Sequence, residues 1–294
     1  MELRHLRYFI AVAEELSFTK AAQRLFTAQP SLSMQIKQLE EEVGVSLLDR
    51  SSKSIRLTPE GVAFLAEAEK VLNQVKIAIN TARQVANSRE ERLNIGFLPV
   101  AEMKIFPQII PELKQKFPNL NIQFMSLTCR EQLDRLRSGE LDIAFTRHCI
   151  NEENFESHFL FSEQLYLAMH TDSPLAKYDI VPIKQLNDCD FVISDSNFSF
   201  ELNRIIREFL FKQKIEIKNF YYSKNILFNI NSIAMGLGYS FVPAYVKSII
   251  PKQVVLKQTD KPLPKIGLYM TFSKTNTSRL QDELIRLVNK YVSN

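Results

Sequence analysis

The chain has 294 residues, 45% hydrophobic and 24% charged, an ordinary globular balance with room for one small domain and a larger one or two. No apolar run is long enough to span a bilayer, and the charged, amphipathic start MELRHLRYFIAV lacks a secretory cleavage site, so the cytoplasm is expected and a membrane partner is not. The net charge of +4 is compatible with nucleic acid, and three scattered cysteines, Cys129, Cys149 and Cys189, fit reduced thiols rather than a disulfide framework or a zinc site, so no metal and no cofactor is expected.

Residues 3–16 form an amphipathic helix, with Leu6, Phe9, Ile10 and Ala13 on one face. Residues 17–43 read as two helices joined by a tight turn. Ser17 caps the first, whose apolar face is Phe18, Ala21, Ala22 and Leu25. In the second, Leu32, Ile36, Leu39 and Val43 line one stripe, Thr27 is placed to cap, and Pro30 falls in the first turn, where a missing N–H costs little. Pro30, Ser33, Met34 and Lys37 point away from that stripe and Gln29 projects from the helix entry. Such a short polar face suits a helix laid in a DNA major groove, although a plain helical hairpin has the same pattern. The acidic run Glu40-Glu41-Glu42 offsets positive charge nearby, so DNA affinity must come from placed cations rather than their sum.

Residues 47–50 and 55–58 read as a short hairpin carrying Arg50, Lys53 and Arg56, a wing able to meet phosphates or the minor groove. Thr58-Pro59-Glu60 starts a helix that runs to about residue 88. Its Leu65, Ala68, Leu72, Val75, Ile79, Ala82 and Ala86 make a heptad seam that a lone helix cannot bury, which predicts a homodimer through paired linker helices. Beyond it, strands at 92–98, 120–127 and 141–147 alternate with a helix through Phe117 and a helix at 129–138 capped by Thr128 and stopped by Gly139. A second such unit follows: strands at 191–194, 216–222 and 239–242, helices at 198–211 and 225–235, then a late strand at 265–272 and a closing helix at 277–291. The alternation predicts parallel sheets with crossover helices in two α/β lobes around a cleft, the chain crossing near Phe161 and Pro264.

The stretch LRHLRYFIAVAEELSFTKAAQRLFTAQPSLSMQIKQLEEEVGVSLLDR, followed by LTPEG, closely resembles the N-terminal domain of LysR-type transcriptional regulators. The likeness spans the chain and is densest over 1–61. Through NIGF, FPNL, SGELDIAF and MGLGYSFVPA the chain is most similar to the regulators of aromatic-compound catabolism. The resemblance implies an α+β multidomain fold: a winged helix-turn-helix at 1–58, a linker helix at 59–88 and a periplasmic-binding-protein-like domain at 89–294. Its lobe I covers about 89–161 and 265–294, and its lobe II about 162–264. It also implies a dimer of dimers, double-stranded promoter DNA and RNA polymerase as partners, and a small-molecule effector. It puts Gln29, Pro30, Ser33 and Met34 in the major groove, Lys53 near the minor groove, and Lys37 and Arg50 near the backbone. Met34 stands where an Arg is frequent.

In this architecture three helix starts face the cleft, at Pro99 and Val100, at Thr128 and Cys129, and at Asn197, Phe198 and Ser199; their N–H groups favour a carboxylate. Arg147 adds a charge and Phe198 a ring to stack on. The expected effector is therefore a small organic anion or aromatic carboxylate, although Pro99-Val100 and Cys129 replace the hydroxyls of similar regulators. Two other readings are a cysteine-based redox regulator and a solute-binding protein. A catalyst is not expected: the chain has no phosphate loop, no G-x-G-x-x-G, no G-x-S-x-G, and only dispersed His5, His148, His158 and His170.

Overall fold

The structure is a computed structural model and describes residues 1–50, 55–86, 92–274 and 278–292. Contacts divide the chain into two units, Met1–Asn87 with Arg137–Gly139, and Ser88–Leu136 with Glu140–Asn294.

In the first unit, α1 (Leu3–Glu15) buries Leu6, Phe9 and Val12. Ser17 caps α2 (Phe18–Arg24), its Oγ accepting the Lys20 N–H at 3.3 Å. α2 closes with two return bonds, Phe26 N–H to the Gln23 carbonyl and Thr27 N–H to the Ala22 carbonyl. Phe26 thereby takes the left-handed position, at φ +51°, that glycine usually fills. The wrap leaves Thr27 one residue short of the cap position of the next helix. The expectation that Thr27 caps the next helix is corrected: the cap position of α3 (Gln29–Val43) is Ala28, with no side-chain bond. Leu32, Ile36 and Leu39 are fully buried, as their spacing predicts. β1 (Leu48–Asp49) pairs antiparallel with β2 (Arg56–Leu57). The turn between them, with Lys53, lies outside the described residues.

α4 (Pro59–Ala86) starts where Thr58 Oγ1 accepts the Gly61 N–H at 2.9 Å and donates to the Ser46 carbonyl at 2.8 Å. The first part of its seam is already used within the unit. Phe64 meets Phe9 edge-on at 5.4 Å, Leu65 packs on the core and Ala68 is buried. Farther along, Leu72 and Val75 are half-buried, and Ile79 and Ala82 are exposed; the Ala86 side chain lies outside the described residues.

The second unit holds β3 (Arg92–Phe97), α5 (Pro99–Lys104), α6 (Phe106–Lys116), β4 (Asn121–Ser126), α7 (Cys129–Arg137) and β5 (Ile143–Thr146). There follow β6 (Phe155–His170), β7 (Ile180–Val181), β8 (Asp190–Ser194), α8 (Phe200–Lys212), β9 (Asn219–Ser223) and α9 (Ile226–Ala234). β10 (Ser240–Pro243), β11 (Val254–Thr259), β12 (Lys265–Ser273) and α10 (Arg279–Val292) complete it. The helix expected through Phe117 is broken at Ile105, because Pro107 has no N–H with which to continue the ladder of α5 into α6.

β3 lies parallel to β4 and β5, and β8 parallel to β9, as the alternation predicts. Neither lobe is parallel throughout. β12 runs antiparallel to both β5 and β6, and β10 and β11 run antiparallel to β6. The sequence reading missed β6, a 16-residue strand that serves both lobes. Its first part pairs with β12 up to Gln164, and from Leu165 onward it pairs with β10 and β11. A register shift between Leu268 and Tyr269 skips Leu160, so the apolar period of the strand breaks in the middle.

Gly61 allows α4 to pass the hairpin closely: a Cβ there would lie 1.9 Å from the Leu47 carbonyl oxygen. Gly61→Ala should therefore destabilise the first unit by about 3 kcal/mol, seen as an earlier loss of protease resistance over residues 1–60 than in the wild type.

Candidate functional site

Two surfaces hold the residues singled out by the sequence. On the first unit, burial of Leu32, Ile36 and Leu39 fixes the rotation of α3. The opposite face then presents Gln29, Pro30 and Lys37 exposed, Ser33 half-buried and Met34 64% exposed. Lys37 sits 3.6 Å from Glu41 on the same helix. Arg50 gives Glu40 an N–H at 2.7 Å, and its guanidinium lies 5.3 Å from the centre of the Phe18 ring.

On the second unit, the cleft between the lobes brings together Pro99, Arg147, Phe198 and Ser199. Its remaining wall includes Ser194, Leu202, Ile226 and Tyr245, which sequence reasoning missed because they lie far apart along the chain. Burial pushes the Tyr245 hydroxyl up to about 12, so it stays a neutral donor. The enclosed space is about 40 Å³, room for a few waters rather than a ring.

The other expected cleft residues are placed differently. Val100 is fully buried in the core of the first lobe. Thr128 forms a capping box on α7: its Oγ1 accepts the Glu131 N–H at 3.2 Å, while the Glu131 carboxylate accepts the Thr128 N–H at 2.8 Å. Cys129 sits against the Arg147 backbone, and burial pushes its thiol up. Asn197 is exposed, its N–H bound to the Asp195 carboxylate at 2.8 Å. None of these four lines the cavity.

Arg147 is not a spare charge. It donates to Glu163 Oε2 from both terminal nitrogens at 3.3 Å, and to the Gly267 carbonyl at 3.3 Å. Both side chains are nearly inaccessible, at 7% and 1% exposure. The second Glu163 oxygen lies 3.1 Å from Lys104 Nζ, an ion pair whose angle falls short of a hydrogen bond. Lys104 also sits 5.3 Å over the Phe161 ring, at the wall of a larger cavity of about 440 Å³ bounded by α5, α6 and the end of α10. No group of three or more metal-binding side chains occurs among the described residues.

A family model described as the LysR substrate binding domain matches residues 86–292, and one described as a bacterial regulatory helix-turn-helix protein of the lysR family matches residues 3–62. The Hca operon transcriptional activator HcaR of Escherichia coli (strain K12) is 35% identical over 290 residues, 99% of this chain and 98% of its own length. The HTH-type transcriptional regulator BenM of Acinetobacter baylyi is 36% identical over 255 residues, 85% of this chain and 82% of its own. Among solved structures, full-length BenM aligns with a TM-score of 0.61 at 30% identity, covering 100% of this chain and 97% of that one. Full-length CbnR complexed with its target DNA shares the fold, with a TM-score of 0.57 at 24% identity over 99% of this chain and 100% of that one.

Removing Arg147 would leave Glu163 buried with Lys104 alone. Arg147→Ala should cost about 3 kcal/mol in urea unfolding, clearly more than Lys104→Ala, whose side chain is 42% exposed.

Proposed function

The chain belongs to the LysR family of DNA-binding transcriptional regulators, and on that premise we propose that α3 reads promoter DNA in the major groove. Gln29, Pro30, Ser33 and Met34 meet base edges there, Lys37 and Arg50 meet phosphates, and Lys53 approaches the minor groove. The observation that carries this reading is the one-sided burial of α3, with Leu32, Ile36 and Leu39 at 0% exposure and Met34 at 64%. The working modules are residues 1–58 for DNA, 59–88 for dimerisation and 89–294 for effector binding. The exposed stretch of the α4 seam beyond Val75 supports pairing with a second copy, two such dimers forming the tetramer. The assembly acts in the cytoplasm, with RNA polymerase as its further partner.

The effector is a small organic anion or aromatic carboxylate, held where Phe198 offers a ring and Ser199 a hydroxyl beside Arg147. The space there is only about 40 Å³, so a ring bound at this place calls for the cleft to widen. A second reading seats it in the cavity of about 440 Å³ beside Lys104 and Phe161, which has the volume a ring needs. Burial raises the Cys129 and Cys189 thiols, which lowers their thiolate fraction and favours ligand sensing over a cysteine-based redox switch.

Two measurements test these readings. A site selected by the wild type from a random DNA pool, then substituted base by base, should show Met34→Arg gaining a guanine preference of about tenfold at one step; an unchanged profile refutes the placement of residue 34. In calorimetric titration with a panel of aromatic carboxylates, Phe198→Ala should weaken binding about tenfold and Phe161→Ala leave it unchanged. The reverse result moves the effector to the larger cavity.

A further inference from the structure

The acids that follow the reading stripe, Glu40, Glu41 and Glu42, repel DNA if counted only by charge. The structure separates them. Glu41 is exposed and makes a loose contact to Lys37. Glu40 is only 14% exposed, and its carboxylate has three donors. Oε1 accepts the backbone N–H groups of Leu47 at 2.9 Å and Leu48 at 3.0 Å, and Oε2 accepts the Arg50 guanidinium at 2.7 Å. The Phe18 ring, on the first residue of α2, packs against that same guanidinium. One acid on α3 therefore fixes the start of the hairpin and the direction of its arginine, with α2 as the second wall.

We infer that Glu40 is a positioning residue for DNA binding: it holds Arg50 as a preset fork, one N–H committed to Glu40 and the others aimed at a phosphate. The inference rests on the DNA reading of α3 given above. A guanidinium can serve two acceptors at once because its N–H donors form a rigid planar fork, whereas an ammonium is a point charge that must choose. The two neighbouring acids then have opposite effects. Neutralising Glu41 relieves repulsion and frees Lys37. Neutralising Glu40 puts an amide NH₂ against the guanidinium, while its oxygen still accepts the two backbone N–H groups, so the fold persists and the arginine loses its direction.

The test measures the affinity of the full-length protein for the duplex it selects from a random pool, from low to high salt. Glu40→Gln should bind about fivefold more weakly, with a log–log salt slope shallower by about one unit, the worth of one phosphate contact. Its melting temperature should stay close to the wild type's. Glu41→Gln should bind as tightly or more tightly. Arg50→Ala should match the loss in Glu40→Gln, and the double variant should lose no more than either. Arg50→Lys keeps the charge on a half-exposed side chain that the fold does not require, and should still lose most of the affinity. The inference is overturned if Glu40→Gln binds as well as the wild type, if its slope is unchanged, if its loss adds in full to that of Arg50→Ala, or if Arg50→Lys binds normally. If the wild type selects no sequence at all, the DNA reading itself fails, a separate result.

Discussion

The ion triad Arg147–Glu163–Lys104 is the constraint around which the second unit is arranged. Glu163 lies on β6 just before Gln164, where that strand stops pairing with β12 and starts serving the second lobe. An acid at 1% exposure is tolerable only because Arg147 donates twice to one of its oxygens and Lys104 lies beside the other. The arginine comes from the end of β5 and the lysine from the end of α5, both in the first lobe. The pair therefore fixes the loop after β5 to the strand on which the lobes meet. A ligand that draws on Arg147 must compete with a partner already in place, so its binding is coupled to the connection between the lobes.

On the first unit the governing fact is different. Three fully buried side chains on α3 leave its other face no choice about where to point. The turn before it is tightly specified as well. Phe26 is 98% exposed and held at a positive φ, yet the return bonds it permits set the angle between α2 and α3. Left-handed backbone at a non-glycine costs about 1 kcal/mol, a cost met here by two satisfied carbonyls.

What the sequence made legible was what depends on local period and local caps. The α3 stripe, the Ser17 and Thr58 caps, the Thr128 start of α7 and the parallel strands were all readable because their signals lie within a few residues. Glu163 was not. An acid in a strand reads as solvent-facing, and only partners 16 and 59 positions away in the chain make it a core residue. β6 escaped because its two halves serve different sheets and a skipped residue breaks their shared alternation. Thr27 read as a cap because the sequence does not say that α3 begins at Gln29, which puts Ala28 in the cap position. In the cleft, the helix starts at Pro99 and at Phe198 and Ser199 line the cavity and the one at Thr128 and Cys129 does not, while Tyr245 and Ile226 required the fold to bring them there.

Three cations of the first unit are tied to acids, which bears on specificity under the proposed DNA reading. Arg24 is paired with Glu14 and Glu15, Lys37 with Glu41, and Arg50 with Glu40. A cation free in solution adds to attraction for any duplex, because phosphates are everywhere and counterion release is blind to sequence. A cation tied to an acid gives up part of that general attraction. It regains it only where a phosphate arrives in the direction the pair already fixes, which requires the bases to be in register as well. Pairing thus lowers the non-specific background, while at a matched site the direction that Glu40 fixes for Arg50 adds to binding. With a net charge of only +4 on 294 residues, placement rather than summed charge is the route to discrimination, and on the proposed DNA reading the acids beside α3 take part in it.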